Sequence, residues 1–178
     1  LHTDEAVHAL KFGHLLEDNI YRYDPEEYHG PVLNYLTLIP AFLTSADKLA
    51  EIDETLLRLV PAGISLFLIL GLLLLQKEMS RQTLLTAAFL TAVSPVILFY
   101  SRYYIQEIFL VTFSFGLIIA SWRWYNSRHV GWAAAGGLFL GLMHAAKETA
   151  LIAACCMAGA FLIITMFRRK RSRQVDNK

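Results

Sequence analysis

Five long apolar stretches decide what this chain can fold into. They fall near residues 58–76, 83–100, 104–122, 131–146 and 149–167, with Leu66 to Leu75 as the greasiest core. A helix needs about 20 mostly apolar residues to cross the hydrocarbon of a bilayer. The backbone there must satisfy its own hydrogen bonds, so the expected fold is all-α, a polytopic transmembrane helix bundle of about five spans. Cys155 and Cys156 are adjacent inside an apolar run and cannot staple distant parts of the chain; they read as small packing residues.

The near-neutral total charge hides two opposite ends. Residues 1–54 carry eleven of the fifteen carboxylates against Lys11, Arg22 and Lys48, a formal charge of minus eight, whereas Arg168, Arg169, Lys170, Arg171 and Arg173 close the chain. The sequence therefore divides into an acidic, aromatic-rich loop with interfacial helices (1–57), a helical bundle (58–167) and a basic tail (168–178). The chain starts at Leu1 with no signal-peptide pattern and enters a polar segment at once. That suggests a piece of a longer protein whose upstream membrane helix delivers this loop across the bilayer.

Within the acidic loop, Thr3 is a candidate N-cap, Asp4 and Glu5 fill a first turn, and the apolar pattern carries a helix to about Glu17. Asp4, His8 and Lys11 recur at i, i+4 and i+7, giving one polar face suited to the membrane surface. Asp24-Pro25-Glu26-Glu27 reads as a second helix start. Residues 31–44 are apolar but too short to span, and read as an interfacial or re-entrant helix.

Charge also sets the orientation. With the acidic loop outside, the inside loops hold nine basic residues (Lys77, Arg81, Arg123, Arg128 and the terminal cluster), whereas the short outside turns hold Arg102 and Lys147. The positive-inside rule selects that topology, with Trp122, Trp124 and Trp132 as interfacial anchors. It brings Asp4, the Ser101-Arg102 turn and the Lys147-Glu148 turn to one rim. Ionisable groups at a membrane edge are costly, so their convergence points to a site.

The ordered set His2-Thr3-Asp4-Glu5, Tyr28-His29-Gly30-Pro31-Val32-Leu33, Ser101-Arg102-Tyr103 with Glu107, and Lys147-Glu148 resembles the GT-C superfamily of polyprenyl-phosphate-sugar-dependent glycosyltransferases. The closest likeness is to the protein O-mannosyltransferase and aminoarabinose-transferase type, including relatives associated with lipid-linked sugar flipping. Gly30 stands where that family's His-Pro-Pro-Leu-like segment has its first proline. The resemblance implies transfer of a sugar from a polyprenyl-phosphate carrier to a lipid, glycan or protein acceptor on the extracytoplasmic face of a prokaryotic plasma (inner) membrane. A non-enzymatic role in flipping or assembling lipid-linked sugars is the rival, and nothing in the sequence points to nucleic acid.

Glycosyl transfer passes through an oxocarbenium-like state in which a carboxylate can take the acceptor's proton. Asp4 is the candidate base and Glu5 its support, for position or metal. First-turn acids also simply favour the helix dipole. His29, Arg102, Glu107 and Lys147 are candidate substrate-binding residues: the cations for the leaving phosphate, His29 with Tyr28 and Gly30-Pro31 as a polar lip, and Glu107 as the family's second acid near the first pair. Equally, Arg102 can snorkel or pair with Glu107, Lys147 can pair with Glu148, and His29 can be structural. A divalent ion at Asp4, Glu5 and His29 or Glu107 stays open, since some relatives use metals and others do not. A zinc site of His2, His8 and His14 is disfavoured, because steps of six put them on different faces of a helix. Ala133, Gly137, Gly141 and Ala145 form a small-residue stripe on which another helix could pack closely.

Overall fold

The computed structural model describes residues 2–24, 26 and 29–176, with residues 168–176 as backbone only. The second helix start expected at Pro25 and Glu27, the Tyr28 part of the lip and the side chains of the basic cluster lie outside the described residues. The rest is all-helical: α1 Thr3–Asp18, α2 Val32–Leu43, α3 Glu54–Gly71 continued as 3₁₀ turns through Leu75, α4 Arg81–Val93, α5 Pro95–Ser101, α6 Glu107–Ser127, α7 Val130–Ala146 and α8 Ala150–Asp176.

Three of these helices are long and apolar enough to cross a membrane: Glu54–Leu75, Glu107–Ser127 and Ala150–Phe167. The single span expected over 83–100 is instead a bent pair, α4 and α5 meeting at 58°. Pro95 has no N–H to continue the ladder and pushes Ser94 out of the helical region, to ψ 122°. Counting that pair as one gives four spans, not five; α7, at 17 residues, falls short in length. Asp53 starts α3 earlier than the apolar pattern suggests, accepting the Leu56 amide at 2.8 Å and so placing Arg58 inside the helix.

The short helices differ from their expected surface roles in a way that matters for the site. His2, not Thr3, precedes α1, and Asn19 in the left-handed region (φ 57°) ends it. The face that docks on the bundle holds Glu5, His8, Phe12 and Leu15, all buried, whereas Leu10 is exposed. The Asp4–His8–Lys11 face is therefore split: His8 turns inward, edge-on to His29 with ring centroids 4.9 Å apart. In α2, Leu33, Asn34, Thr37 and Ala41 are buried and Phe42 and Leu43 lie open, as suits a helix at a membrane surface.

α6 and α7 pack along each other. Their close approach is not made on the small-residue stripe: a Cβ on Gly137 or Gly141 would meet nothing within 4 Å, whereas one on Gly116 would lie 2.6 Å from the Phe139 ring. A bulky side chain of α7 thus fills the space that a glycine of α6 leaves. Cys155 and Cys156 are exposed and free, so they do not pack in the bundle.

Candidate functional site

One rim of the bundle gathers the first turn of α1, the segment 29–31, the start of α3, the 102–106 turn and the α7–α8 junction. The 29–31 segment is joined to the junction by backbone: His29 pairs antiparallel with Lys147, and the Gly30 amide donates to the Ala146 carbonyl at 2.9 Å. Gln106 adds a side-chain bond, its Nε2 donating to the Gly30 carbonyl at 2.6 Å. Only glycine fits at position 30, because a Cβ there would lie 2.0 Å from the Ala145 oxygen.

Within this rim the two adjacent acids have opposite environments. Glu5 is 1% exposed. Its Oε1 accepts Arg58 Nε at 3.1 Å and the Tyr104 amide at 2.9 Å. Its Oε2 accepts Arg58 Nη2 at 2.9 Å and the His2 amide at 3.0 Å. Desolvation pushes this carboxyl upward, but the Arg58 guanidinium and the two amides more than offset it and hold the pKa down to about 2. Asp4, one residue earlier on the helix, is exposed and has no hydrogen bond or ion pair among the described residues. Periodicity explains the split, since successive helical positions are turned by about 100°.

The 102–106 turn supplies the wall beside these acids. Tyr103 hydrogen-bonds His2 Nδ1 through its hydroxyl and stacks on Phe99 with ring centroids 5.1 Å apart. Burial, and then the negative fields of Asp4, Glu5 and Glu107, raise its phenol above the ordinary value; all three carboxylates thus act on one hydroxyl. Tyr104 points the other way, fully buried, with its hydroxyl 2.8 Å from Thr37 Oγ1 on α2. Burial is the main cause that pushes its phenol upward.

Glu107 accepts Lys147 Nζ at 2.8 Å, so neither the Arg102–Glu107 pair nor the Lys147–Glu148 pair is formed. Glu148 instead takes a hydrogen bond from Tyr23. Arg102 is exposed and has no ion pair among the described residues. Among those residues no three His, Cys, Asp or Glu side chains gather closely enough to hold a metal ion. The set Asp4, Glu5 and His29 is therefore not assembled.

Sequence reasoning missed Arg58, Tyr103 and Tyr104. Arg58 had a signal: it stands four residues after Glu54, which it also binds at 3.1 Å, and a lone arginine in an apolar helix needs a partner. Tyr103 stood in the Ser101-Arg102-Tyr103 motif but without a role, and Tyr104 had no signal, since which of two adjacent rings turns inward depends on the turn's tertiary contacts.

Beside this rim an apolar groove of about 760 Å³ opens between α2, α3, α6 and α7. It runs from Pro31 and Tyr35, next to His29, past Phe67 and Phe113 to Leu74 and Trp132 at the far end of the bundle.

Comparison with known families gives one match, over residues 29–175. It takes in His29, Arg58, Arg102, Glu107 and Lys147 and begins after Asp4 and Glu5. No curated protein and no solved structure matches the chain. The match covers most of the sequence and agrees with the all-helical, apolar architecture: the chain belongs to the dolichyl-phosphate-mannose-protein mannosyltransferase family, a family of membrane glycosyltransferases.

Proposed function

We propose that the protein transfers a sugar from a polyprenyl-phosphate carrier to a hydroxyl of a lipid, glycan or protein acceptor, with Asp4 as general base. The site faces the extracytoplasmic side of a prokaryotic inner membrane. Residues 1–57 form the catalytic loop, 58–167 the membrane bundle and 168–178 a cytoplasmic basic segment. The observation that carries this reading is the division of labour between adjacent acids: Glu5 is saturated by four donors, whereas Asp4 stands open beside it. Neighbouring carboxylates in contrasting environments take different roles.

In the step itself, Asp4 takes the proton of the acceptor hydroxyl as that oxygen forms its bond to the anomeric carbon. The bond from that carbon to the phosphate oxygen breaks, and its electron pair leaves with the polyprenyl phosphate. The proton then passes from Asp4 to water. Arg102, exposed and without an ion pair among the described residues, is suited to two-point contact with the leaving phosphate. Lys147, shared with Glu107, adds charge, and His29 borders the same place. The apolar groove beginning at Pro31 would take the first isoprene units, an apolar chain whose phosphate end then sits at the rim.

The test uses the full-length protein in lipid, supplied with radiolabelled polyprenyl-phosphate sugars. Wild type transfers label and folded Asp4→Asn loses about 10²–10⁴-fold in rate, the worth of a general base. Equal transfer by both proteins would overturn Asp4 as base, and no transfer from any donor would overturn the donor class.

A further inference from the structure

Arg58 is a charge inside a membrane helix whose use the proposed chemistry leaves open. Its Nε and Nη2 grip both oxygens of Glu5 at 3.1 and 2.9 Å, and Nη1 holds Glu54 at 3.1 Å. All three nitrogens thus face carboxylates. Three of its five N–H bonds are thus committed to carboxylates, which leaves one on each Nη. Glu5, for its part, ties the Tyr104 amide to the same cluster, and the Tyr104 hydroxyl reaches Thr37. One carboxylate therefore joins α1, α3 and the 102–106 turn, and through Tyr104 it reaches α2.

We infer that Arg58 is a positioning residue: by gripping Glu5 from α3 it fixes the first turn of α1, and with it Asp4, against the 102–106 turn. This rests on Asp4 being the base, as proposed above. Asp4 makes no bond of its own among the described residues, so its place is set by the backbone turn that Glu5 pins. A displacement of about 1 Å at a reacting group can lower a rate about 10²-fold. Glu5 is the intermediary and touches no substrate.

The pair differs from a simple ion pair in a way that an experiment can read. In the swap Glu5→Arg with Arg58→Glu the charges still attract, but the His2 and Tyr104 amides would face an arginine, donors against donors. Arg58→Lys keeps the charge and loses the two-pronged grip.

Full-length protein is used, in a background where Cys155 and Cys156 are serine and Gly13→Cys and Leu49→Cys hold the far half of α1. The ideal Cβ of position 13 lies 3.3 Å from Leu49 Cβ, near the ~3.5–4.5 Å of a disulfide. The tether keeps the far half of α1 on the turn Leu49–Glu51 that leads into α3, so a loss of activity reports the first turn. Arg58→Lys is expected to lower kcat about 10²-fold while leaving the donor KM within about twofold, as for an interaction absent from substrate binding. The swap is expected to restore nothing. A large rise in donor KM with kcat kept would mean that Arg58 touches the phosphate, and full rescue by the swap would mean a plain ion pair; either overturns the inference. If wild type transfers from no donor, the donor class falls, and the positioning is read by hydrogen exchange. Amides of the first turn of α1 exchanging faster in Arg58→Lys than in wild type support it, and equal exchange overturns it.

Discussion

The two ends of the bundle hold their charges by different means. At the rim where α3 and α6 begin, Glu5 is buried and bonded to two other parts of the chain and to the start of its own helix, and Lys147 is paired with Glu107. At the opposite end the cations lean on rings and carbonyls: Arg123 donates to the Leu74 carbonyl and lies 5.8 Å from the Trp132 ring centroid, and Arg128 lies 5.3 Å from those of both Trp124 and Tyr125. The first arrangement fixes distances between helices. The second anchors the ends of α6 and α7 at an interface, where aromatic rings and snorkelling cations suit both solvents. A carboxylate with four donors has one geometry, whereas a guanidinium over an exposed ring has many of similar energy.

The sharpest way to break this contrast is at Gly30. In Gly30→Ala the new methyl would lie 2.0 Å from the Ala145 oxygen and 2.6 Å from its carbonyl carbon, both backbone. Neither can swing aside, so the pairing of 29–31 with 145–147 must open, at about 3 kcal/mol or more. Thermal unfolding in nanodiscs checks it. Gly137→Ala, with open space around position 137, is expected to be neutral or to stabilise by up to about 1 kcal/mol. If both variants unfold alike, the rim is not tightly joined.

Acid is the next probe, because the buried, four-donor carboxylate stands at this rim. The Glu5 carboxyl is held at about 2 against an ordinary 4.5. A depressed carboxylate contributes stability that is fully present above 4.5 and is lost as pH falls toward 2, on the order of 3 kcal/mol. Unfolding of wild type should therefore show an acid limb over that window. Glu5→Gln should flatten it while lowering stability at neutral pH. An unchanged limb in the variant would remove Glu5 as its source.

Tyr104→Phe is a smaller cut at the same rim. It removes the bond to Thr37, whose hydroxyl keeps its contact with the Leu33 carbonyl at 2.8 Å. The expected loss is about 1 kcal/mol in the same unfolding assay. A loss several times larger would mean that the phenol holds more than Thr37.

Much of this arrangement was legible in the sequence. Apolar run length gave the helical membrane class and the rough position of every long helix, because hydrocarbon thickness sets a length that composition must meet. The convergence of the Asp4 loop, the Ser101-Arg102 turn and the Lys147-Glu148 turn on one rim followed from the order of the spans. What the sequence hid was partner choice. Lys147 had Glu148 beside it and took Glu107, because the α7–α8 junction is pinned to residues 29–31 and faces the start of α6. Asp4 reads as the base and Glu5 as its support, but their surroundings were not legible: the docking of α1 through Phe12 and Leu15 turned Glu5 inward and left Asp4 exposed. The α4–α5 bend had its signal in Ser94-Pro95, which the continuous hydropathy concealed.

The smallest effect tests the loose end of the comparison. Arg128 follows α6 in the left-handed region, φ 55°, with its amide on the Trp124 carbonyl at 2.8 Å. A residue with a Cβ is strained there by about 1 kcal/mol relative to glycine, while its stacking on Trp124 and Tyr125 is worth about 0.5–1 kcal/mol at an exposed site. Arg128→Ala keeps the strain and loses the stacking, so it should cost about 0.5–1 kcal/mol. Arg128→Gly loses the stacking but relieves the strain, and the two nearly cancel, leaving a change within about 0.5 kcal/mol. Melting temperatures of the two variants beside wild type in one lipid composition give the ordering. Should glycine cost as much as alanine, position 128 carries no strain for glycine to relieve; should both cost several kcal/mol, the stacking would specify this end of the bundle as firmly as the rim around Glu5.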